Sequence, residues 1–84
     1  MWQVIVMPEA RKDLMRLDKD AAAQIVKKLE QTSQLGELRL EKLEGFEYYK
    51  IRAGDYRAMV VLDHKEKIIE VRRIDHRKRI YKNL

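Results

Sequence analysis

The spacing of the apolar residues changes near residue 46, and this change restricts the possible folds more than any other feature of the sequence. Before it, apolar residues recur every three to four positions, as on one face of an α-helix. After it, apolar and polar residues alternate, as in a β-strand with one buried face. Residues 37–45, between the two parts, are polar and irregular. Helices followed by strands predict an α+β domain with a largely antiparallel sheet.

Two amphipathic helices are predicted in the first half, after a short strand at residues 2–6. The first helix covers residues 9–17 and follows Pro8, which is tolerated in the first turn of a helix. The second has Asp20 as its N-cap and stops at Gly36. Its apolar residues are spaced i, i+3, i+4 and i+7, at Ala22, Ile25, Val26 and Leu29. We predict that the helices are antiparallel and cover the apolar face of the sheet.

The stretch YYKIRAGDYRAMV, at residues 48–60, has the pattern of a β-hairpin. If Gly54 and Asp55 are the central residues of a type II′ turn, Arg52 pairs with Arg57. Alternation then places Lys50, Arg52 and Arg57, here called the cation cluster, on one face. The other face receives Ile51, Ala53, Tyr56 and Ala58. Like charges that face each other in a sheet are destabilising, so the cluster predicts an anion site.

A third strand, at residues 67–75, is predicted after a four-residue loop at residues 63–66. Counted from this loop, Arg57 lies opposite Arg72, which would extend the cation cluster. A slip of one residue would move Arg72 off the row. By alternation Arg73 falls on the core side, where it covers an edge or pairs with an acid such as Glu44 or Glu47.

The positive charge is confined to the second half of the chain. The net charge of the 84 residues is +5. Residues 1–44 carry eight basic and eight acidic side chains, whereas residues 45–84 carry eleven and six. Six of the basic residues lie within residues 72–82, beside one acid, Asp75. Clustered positive charge is typical of a polyanion binder, and nucleic acid is the commonest polyanion; a solvated surface is the alternative.

Composition argues against several other classes. The chain has no cysteine, which excludes disulfides and thiolate metal sites. His64 and His76 have no carboxylate at metal spacing, so we expect no metal and no cofactor. Scattered glycines argue against a phosphate loop, and a single serine, Ser33, argues against a catalytic triad. Without a membrane span or secretory signal, we expect one soluble, cytoplasmic domain at residues 1–84.

A basic surface with aromatic members suits RNA, which it can bind or cleave. Arginine binds phosphate and stacks on bases, and Tyr48 and Tyr81 could stack as well. RNA carries its own nucleophile, the 2′-OH, so cleavage needs in-line orientation, charge stabilisation at the phosphorane and two proton transfers. Arginine supplies the charge, and a lysine or tyrosine among cations can act as the base. The residues by themselves leave both interpretations open.

The order of strand, two helices, three strands and basic tail resembles the RelE/ParE superfamily of bacterial and archaeal toxins. The resemblance covers essentially the whole chain and is carried by YYKIRAGDYRAMV at residues 48–60 and VRRIDHRKRIY at residues 71–81. RelE-type members cut mRNA in the ribosomal A site, whereas ParE-type members inhibit DNA gyrase and lack the RelE catalytic set. The resemblance implies a type II toxin whose partners are a RelB-like antitoxin, the ribosome and mRNA.

Two sets of site residues follow from the resemblance by position. The catalytic set is Lys50, Arg52, Arg57, Arg77 and Tyr81. The RNA-binding set is Tyr48, Arg72, His76, Lys78 and Arg79, of which His76 could also assist as acid or base. Because the RelE residue types are present, a ribosome-dependent endoribonuclease is our first hypothesis. A gyrase inhibitor of the ParE type and a non-toxic member that only binds its antitoxin are the alternatives.

Overall fold

The computed structural model describes residues 1–36, 38, 40–42 and 47–76. Its elements are β1 (Gln3–Val6), α1 (Pro8–Arg16), α2 (Lys19–Ser33), β2 (Glu41–Lys42), β3 (Tyr49–Ala53), β4 (Tyr56–Asp63) and β5 (Ile68–His76). The five strands form one sheet in the order β1-β5-β4-β3-β2. β1 runs parallel to β5, and the other neighbours are antiparallel. The predicted α+β class is confirmed, and β2 is a strand that the prediction left as irregular chain.

The second helix starts earlier and ends earlier than predicted. Its N-cap is Asp18, whose carboxylate accepts a hydrogen bond from the backbone N–H of Ala21 at 2.8 Å. The prediction of Asp20 as N-cap is wrong, because Asp20 lies in the first turn, where its negative charge faces the positive end of the helix dipole. The helix also ends at Ser33, before the predicted stop at Gly36.

The core lies between the helices and one face of the sheet. Its largest fully buried side chains are Ile25, Val60, Ile69, Val71 and Ile74. Burial of each such side chain contributes about 1.5–3 kcal/mol before entropy is counted. In the predicted stripe of α2, Ile25 and Leu29 are buried, whereas Val26 is 42% exposed. The apolar face of α2 is therefore narrower than the spacing predicted.

The β3–β4 hairpin has the predicted turn and the predicted register. Gly54 has a φ of +60°, and Asp55 is not among the residues with positive φ, as a type II′ turn requires. Arg52 lies opposite Arg57, and Lys50 lies opposite Met59. The alternation that defines the cation cluster is thus present in the structure.

The register of β5 against β4 differs from the prediction. The loop between them comprises residues 64–67, not 63–66, and its last residue, Lys67, has a φ of 56°. Together with a β-bulge further along, this places Asp75 opposite Arg57. The prediction that Arg72 lies opposite Arg57 is wrong, and an acid takes that position.

The bulge itself explains where Arg72 lies. The register shifts between Met59 and Val60 of β4, and Arg72 is the extra residue on β5, with no Cα partner on β4. Arg72 is exposed, and its guanidinium forms an ion pair with Glu70 on the same strand. Arg72 is therefore not part of the cation cluster.

Beyond the bulge, Asp13 of α1 supports β5 in a region that the pairing with β1 does not reach. Asp13 is 6% exposed. It accepts hydrogen bonds from the backbone N–H of Ile74 at 2.9 Å and from Arg73 Nε and Nη2 at 2.9 and 3.2 Å. These bonds to Asp13 raise the pKa of Arg73. Arg73 does pair with an acid, as predicted, and that acid is Asp13; Glu44, one of the two acids suggested from the sequence, lies outside the described residues.

Candidate nucleic-acid interface

The cation cluster contains a carboxylate that the sequence prediction missed. The pairing of β2 with β3 places Glu41 opposite Lys50, and Lys50 Nζ donates a hydrogen bond to Glu41 Oε1 at 3.1 Å. The side chain of Lys50 is 14% exposed, whereas that of Glu41 is 76% exposed. The hydrogen bond and charge of Lys50, followed by the charges of Arg57 and Arg52, hold the pKa of Glu41 below its ordinary value. The charges of all three cations therefore favour the ionised form of Glu41.

A second acid, Asp75, faces Arg57 from β5. One oxygen of its carboxylate accepts a hydrogen bond from the backbone N–H of His76 at 2.7 Å, which orients the side chain. The charge of Asp75 also contributes to the raised pKa of Arg73, after the larger effects of Asp13. Two acids thus offset part of the repulsion expected within the cation cluster.

The spacing of the cation cluster matches a single tetrahedral anion. Arg52 and Arg57 are directly opposite each other, which places their Cβ atoms about 4.5–5.5 Å apart. Lys50 is diagonal to Arg57, at roughly 7–8 Å between backbone positions. Long flexible side chains easily close these distances, and guanidinium groups bind phosphate oxygens in pairs. One phosphate can therefore contact all three side chains.

Tyr48 borders the cluster on an apolar support. Met59, which lies opposite Lys50, is only 3% exposed, and Tyr48 packs against it. This contact holds a half-buried aromatic ring next to the cations. An aromatic ring beside a phosphate site can stack on a nucleic-acid base, whatever its identity.

His76 lies on the other side of the sheet from Arg57. It is opposite Tyr56, with the two rings edge to face and their centroids 5.7 Å apart. Tyr56 packs against the core, as predicted for that side of the hairpin. The structure thus brings Arg57 together with Asp75 and not with His76. Four further predicted site residues lie outside the described residues: Arg77, Lys78, Arg79 and Tyr81.

A cleft of about 430 Å³, here called the basic cleft, separates α2 from the turn of the β3–β4 hairpin. It is lined by Gln24, Lys27, Lys28, Gln31, Arg52, Ala53 and Gly54. Arg52 belongs to both the cleft and the cation cluster. The sequence pattern did not indicate this cleft.

The described part of the chain holds neither a metal-binding group of side chains nor a membrane-spanning helix. Within residues 1–36, 38, 40–42 and 47–76, no three His, Cys, Asp or Glu side chains are grouped so that they could hold a metal ion. Neither helix in this part of the chain is long and apolar enough to cross a membrane.

The fold and the hairpin agree with a known family. The model of the ParE toxin of type II toxin–antitoxin systems, parDE, matches residues 4–81. The chain belongs to this toxin family. The predicted membership of the RelE/ParE superfamily is thereby confirmed. No curated protein sequence matches the toxin significantly.

Solved structures of RelE toxins share the fold of this toxin. A chain of the RelB–RelE antitoxin–toxin complex of Methanococcus jannaschii is 27% identical, with a TM-score of 0.72 over 95% of this chain and 98% of that one. A RelBE toxin–antitoxin complex from Mycobacterium tuberculosis gives 25% identity, a TM-score of 0.71, and coverage of 90% and 98%. A chain of the intact E. coli RelBE complex is 20% identical, with a TM-score of 0.77 over 90% of this chain and 96% of that one. At this identity the likeness shows the fold alone.

The two acids of the site were missed for different reasons. Glu41 lies in a strand of two residues, which is too short for alternation to be visible in the sequence. Asp75 was visible as the one acid of the basic segment, but the predicted register placed it beyond Arg57. An acid isolated among cations on the last strand of this toxin was the available signal.

Proposed function

We propose that this toxin is a ribosome-dependent endoribonuclease that cleaves mRNA in the ribosomal A site. The observation that carries the proposal is the grouping of Lys50, Arg52 and Arg57 on one face of the β3–β4 hairpin. Three cations of this spacing suit the scissile phosphate of an RNA strand. Tyr48, held beside them by Met59, is positioned to stack on a neighbouring base.

In the proposed reaction the 2′-oxygen of the RNA forms a bond to phosphorus while the bond from phosphorus to the 5′-oxygen breaks. The products are a 2′,3′-cyclic phosphate and a 5′-hydroxyl. A base removes the 2′-OH proton, and an acid delivers a proton to the leaving 5′-oxygen. Arg52 and Arg57 stabilise the charge of the phosphorane, together with Arg77 of the tail. Lys50 and Tyr81 are the proposed candidates for the base.

The proposed role of Lys50 requires that Lys50 leaves Glu41 when the RNA binds. While Lys50 donates to Glu41, the carboxylate occupies one side of the cation cluster. An incoming phosphate competes with Glu41 for the same donors, because both are anions of similar hydrogen-bonding chemistry. The exposed position of Glu41 allows its carboxylate to move into solvent as the phosphate binds.

A cognate RelB-like antitoxin is the proposed partner that neutralises the toxin. Three related solved structures are complexes of a toxin with its antitoxin. An antitoxin that covers or distorts the cation cluster would block the approach of mRNA. Both the ribosome and mRNA are cytoplasmic, so we propose that the toxin acts in the cytoplasm as one domain.

Inhibition of DNA gyrase is the second candidate function. It is favoured by the family match, since the matching family is described as ParE toxins. In that case the cation cluster would bind its target without cleaving RNA. The presence of the RelE residue types at Lys50, Arg57 and, in the tail, Arg77 and Tyr81 supports the endoribonuclease instead.

Primer extension on an mRNA translated in vitro tests the proposal. We expect cuts at the A-site codon with the toxin, and none when ribosomes are omitted. The double variant Arg57→Ala/Arg77→Ala should give no cuts, whereas Arg11→Ala/Arg16→Ala, which removes the same charge from exposed positions of α1, should cut normally. Gyrase inhibition without message cleavage would select the second candidate, and normal growth of overexpressing cells would indicate a non-toxic member.

A further inference from the structure

Positive charge lines the basic cleft. Among the described residues that line it, three are cations, Lys27, Lys28 and Arg52, and none is a carboxylate. Within the part of the chain that the structure describes, none of these three cations forms an ion pair. The cation cluster differs, since Glu41 and Asp75 lie within it. The cleft should therefore attract an anion.

The wall of the cleft that α2 provides is a continuous polar stripe. Gln24, Lys27, Lys28 and Gln31 are spaced i, i+3, i+4 and i+7, which puts them on one face of the helix. At 1.5 Å per residue the stripe extends about 10 Å along the helix axis. A nucleic-acid strand in stacked form rises about 3.4 Å per nucleotide, so the stripe matches two to three consecutive phosphates.

The chemistry of the cleft favours a nucleic-acid strand over a peptide. A bound peptide segment is normally anchored by apolar or aromatic side chains in matching pockets. Of the described residues that line this cleft, Ala53 alone has an apolar side chain. Exposed ion pairs with an acidic peptide add little affinity one by one. A strand of phosphates instead gains affinity from the release of condensed counterions.

We propose that the basic cleft binds the phosphodiester backbone of single-stranded RNA, as a second site beside the cation cluster. Arg52 lines the cleft and belongs to the cluster, so one strand can pass from one site to the other. The two glutamine amides can hydrogen-bond 2′-hydroxyls and unpaired bases. The choice of RNA rests on the proposed function, whereas the binding of a strand in the cleft does not require that the toxin cleaves it.

Binding of an uncleavable RNA tests this proposal. The probe is a fluorescent single-stranded RNA with 2′-O-methyl groups throughout, which keeps the phosphates and lacks the nucleophile. The test variant is Lys27→Gln/Lys28→Gln, and the matched control is Lys19→Gln/Lys65→Gln, which removes equal charge from exposed positions outside the cleft. Lysine and glutamine have similar helix propensity, and Lys65 lies exposed in the β4–β5 loop. Both variants should therefore fold, as circular dichroism will verify.

The salt dependence of binding gives the decisive readout. Each phosphate contact that is lost lowers the slope of log K against log salt by about 0.7 for a single strand. The cleft variant should therefore lose about 1.4 from the slope and, at about 0.1 M salt, bind at least 10-fold more weakly. The control should keep the wild-type slope.

Two results would overturn the proposal. One is an equal slope for the cleft variant and the control. The other is unchanged RNA binding by the cleft variant together with lost binding of a polyglutamate peptide, which would make the cleft a peptide site. Because the probe cannot be cleaved, failure of the nuclease proposal would leave this result unaffected. Conversely, equal slopes would refute the cleft proposal and leave unaffected the prediction that A-site cleavage depends on Arg57.

Discussion

Lys50 Nζ lies 3.1 Å from Glu41 Oε1, so one member of the cation cluster already has an anion as its partner. Glu41 is nonetheless 76% exposed, and its side chain can leave without unfolding the sheet. The site therefore resembles a phosphate site with a removable internal counterion. Such a contact keeps three neighbouring cations compatible with a stable hairpin in the free protein.

The pKa of Glu41 should depend on Lys50. The Lys50 hydrogen bond and charge lower it from 4.5, so we expect Lys50→Met to raise it toward that value. Because the pKa is lower in the folded than in the unfolded state, the pair stabilises the fold above the unfolded pKa and loses this effect as pH falls through the folded pKa. NMR titration of the Glu41 side chain measures the shift. In Lys65→Met, a loop control, Glu41 should titrate as in the wild type, and equal titration in both variants would contradict the prediction.

Removal of the Glu41 charge should strengthen RNA binding. In Glu41→Gln, an incoming phosphate no longer competes with a carboxylate for Lys50, so the 2′-O-methyl RNA should bind a few-fold more tightly. The exposed ion pair adds little to stability, so the free energy of unfolding should hardly change. Fluorescence anisotropy and urea unfolding measure the two quantities. Glu66→Gln, in the β4–β5 loop, is the charge-matched control, and weaker binding by Glu41→Gln would show that Glu41 assists the RNA instead.

The two substitutions Gly54→Ala and Gly36→Ala should have opposite effects on stability. Gly54 has a φ of +60°, and a Cβ there would lie 2.9 Å from Gln24 Oε1. Gln24 is flexible enough to move, so the backbone conformation dominates, and the loss should be about 1–2 kcal/mol. A Cβ on Gly36 meets nothing within 4 Å, and alanine there should be neutral or stabilise by up to about 1 kcal/mol. Urea unfolding compares them, and equal losses at both positions would be inconsistent with a type II′ turn.

Arg72→Ala should reduce message cleavage far less than Arg57→Ala. Arg72 lies in the bulge and pairs with Glu70, whereas Arg57 lies within the cation cluster. We expect Arg72→Ala to cut within a few-fold of the wild-type rate and Arg57→Ala to lose at least about 100-fold, typical for the loss of one group that stabilises the transition state. Quantified primer extension gives both rates. Comparable losses would mean that the bulge does not separate Arg72 from the site.

The hairpin could be predicted because residues close together in the sequence determine its turn and its pairing. Gly54 and Asp55 specify the turn, the turn specifies which residues pair, and alternation then places Lys50, Arg52 and Arg57 together. The helices were predicted for a similar reason, since each carries its own periodic stripe. The N-cap and the C-terminal end of α2 were misplaced. Asp18 and Asp20 are both suitable cap residues when judged from sequence.

The position of β5 could not be predicted because it depends on distant residues. The bulge shifts every pair from Met59–Arg73 to Tyr56–His76. The strand beyond the bulge is held by Asp13, which lies 60 positions from Arg73 in the sequence. No local sequence pattern indicates the contact between Asp13 and Arg73. The same applies to Glu41, whose partner Lys50 is defined by a strand of only two residues.

Replacement of Asp13 should therefore unfold the end of β5 before the rest of the sheet. Asp13→Ala removes the acceptor of Ile74 N–H and leaves Arg73 without its partner, which should lower the free energy of unfolding by about 3 kcal/mol. Arg73→Met should cost less, since Asp13 still accepts from Ile74, and the double variant should show a coupling of about 1–2 kcal/mol between the two side chains. Urea unfolding of the four proteins gives this cycle. Hydrogen exchange should accelerate at Ile74 in Asp13→Ala and stay slow at Ile69, whereas additive losses with uniform exchange would show that the pair does not anchor the strand.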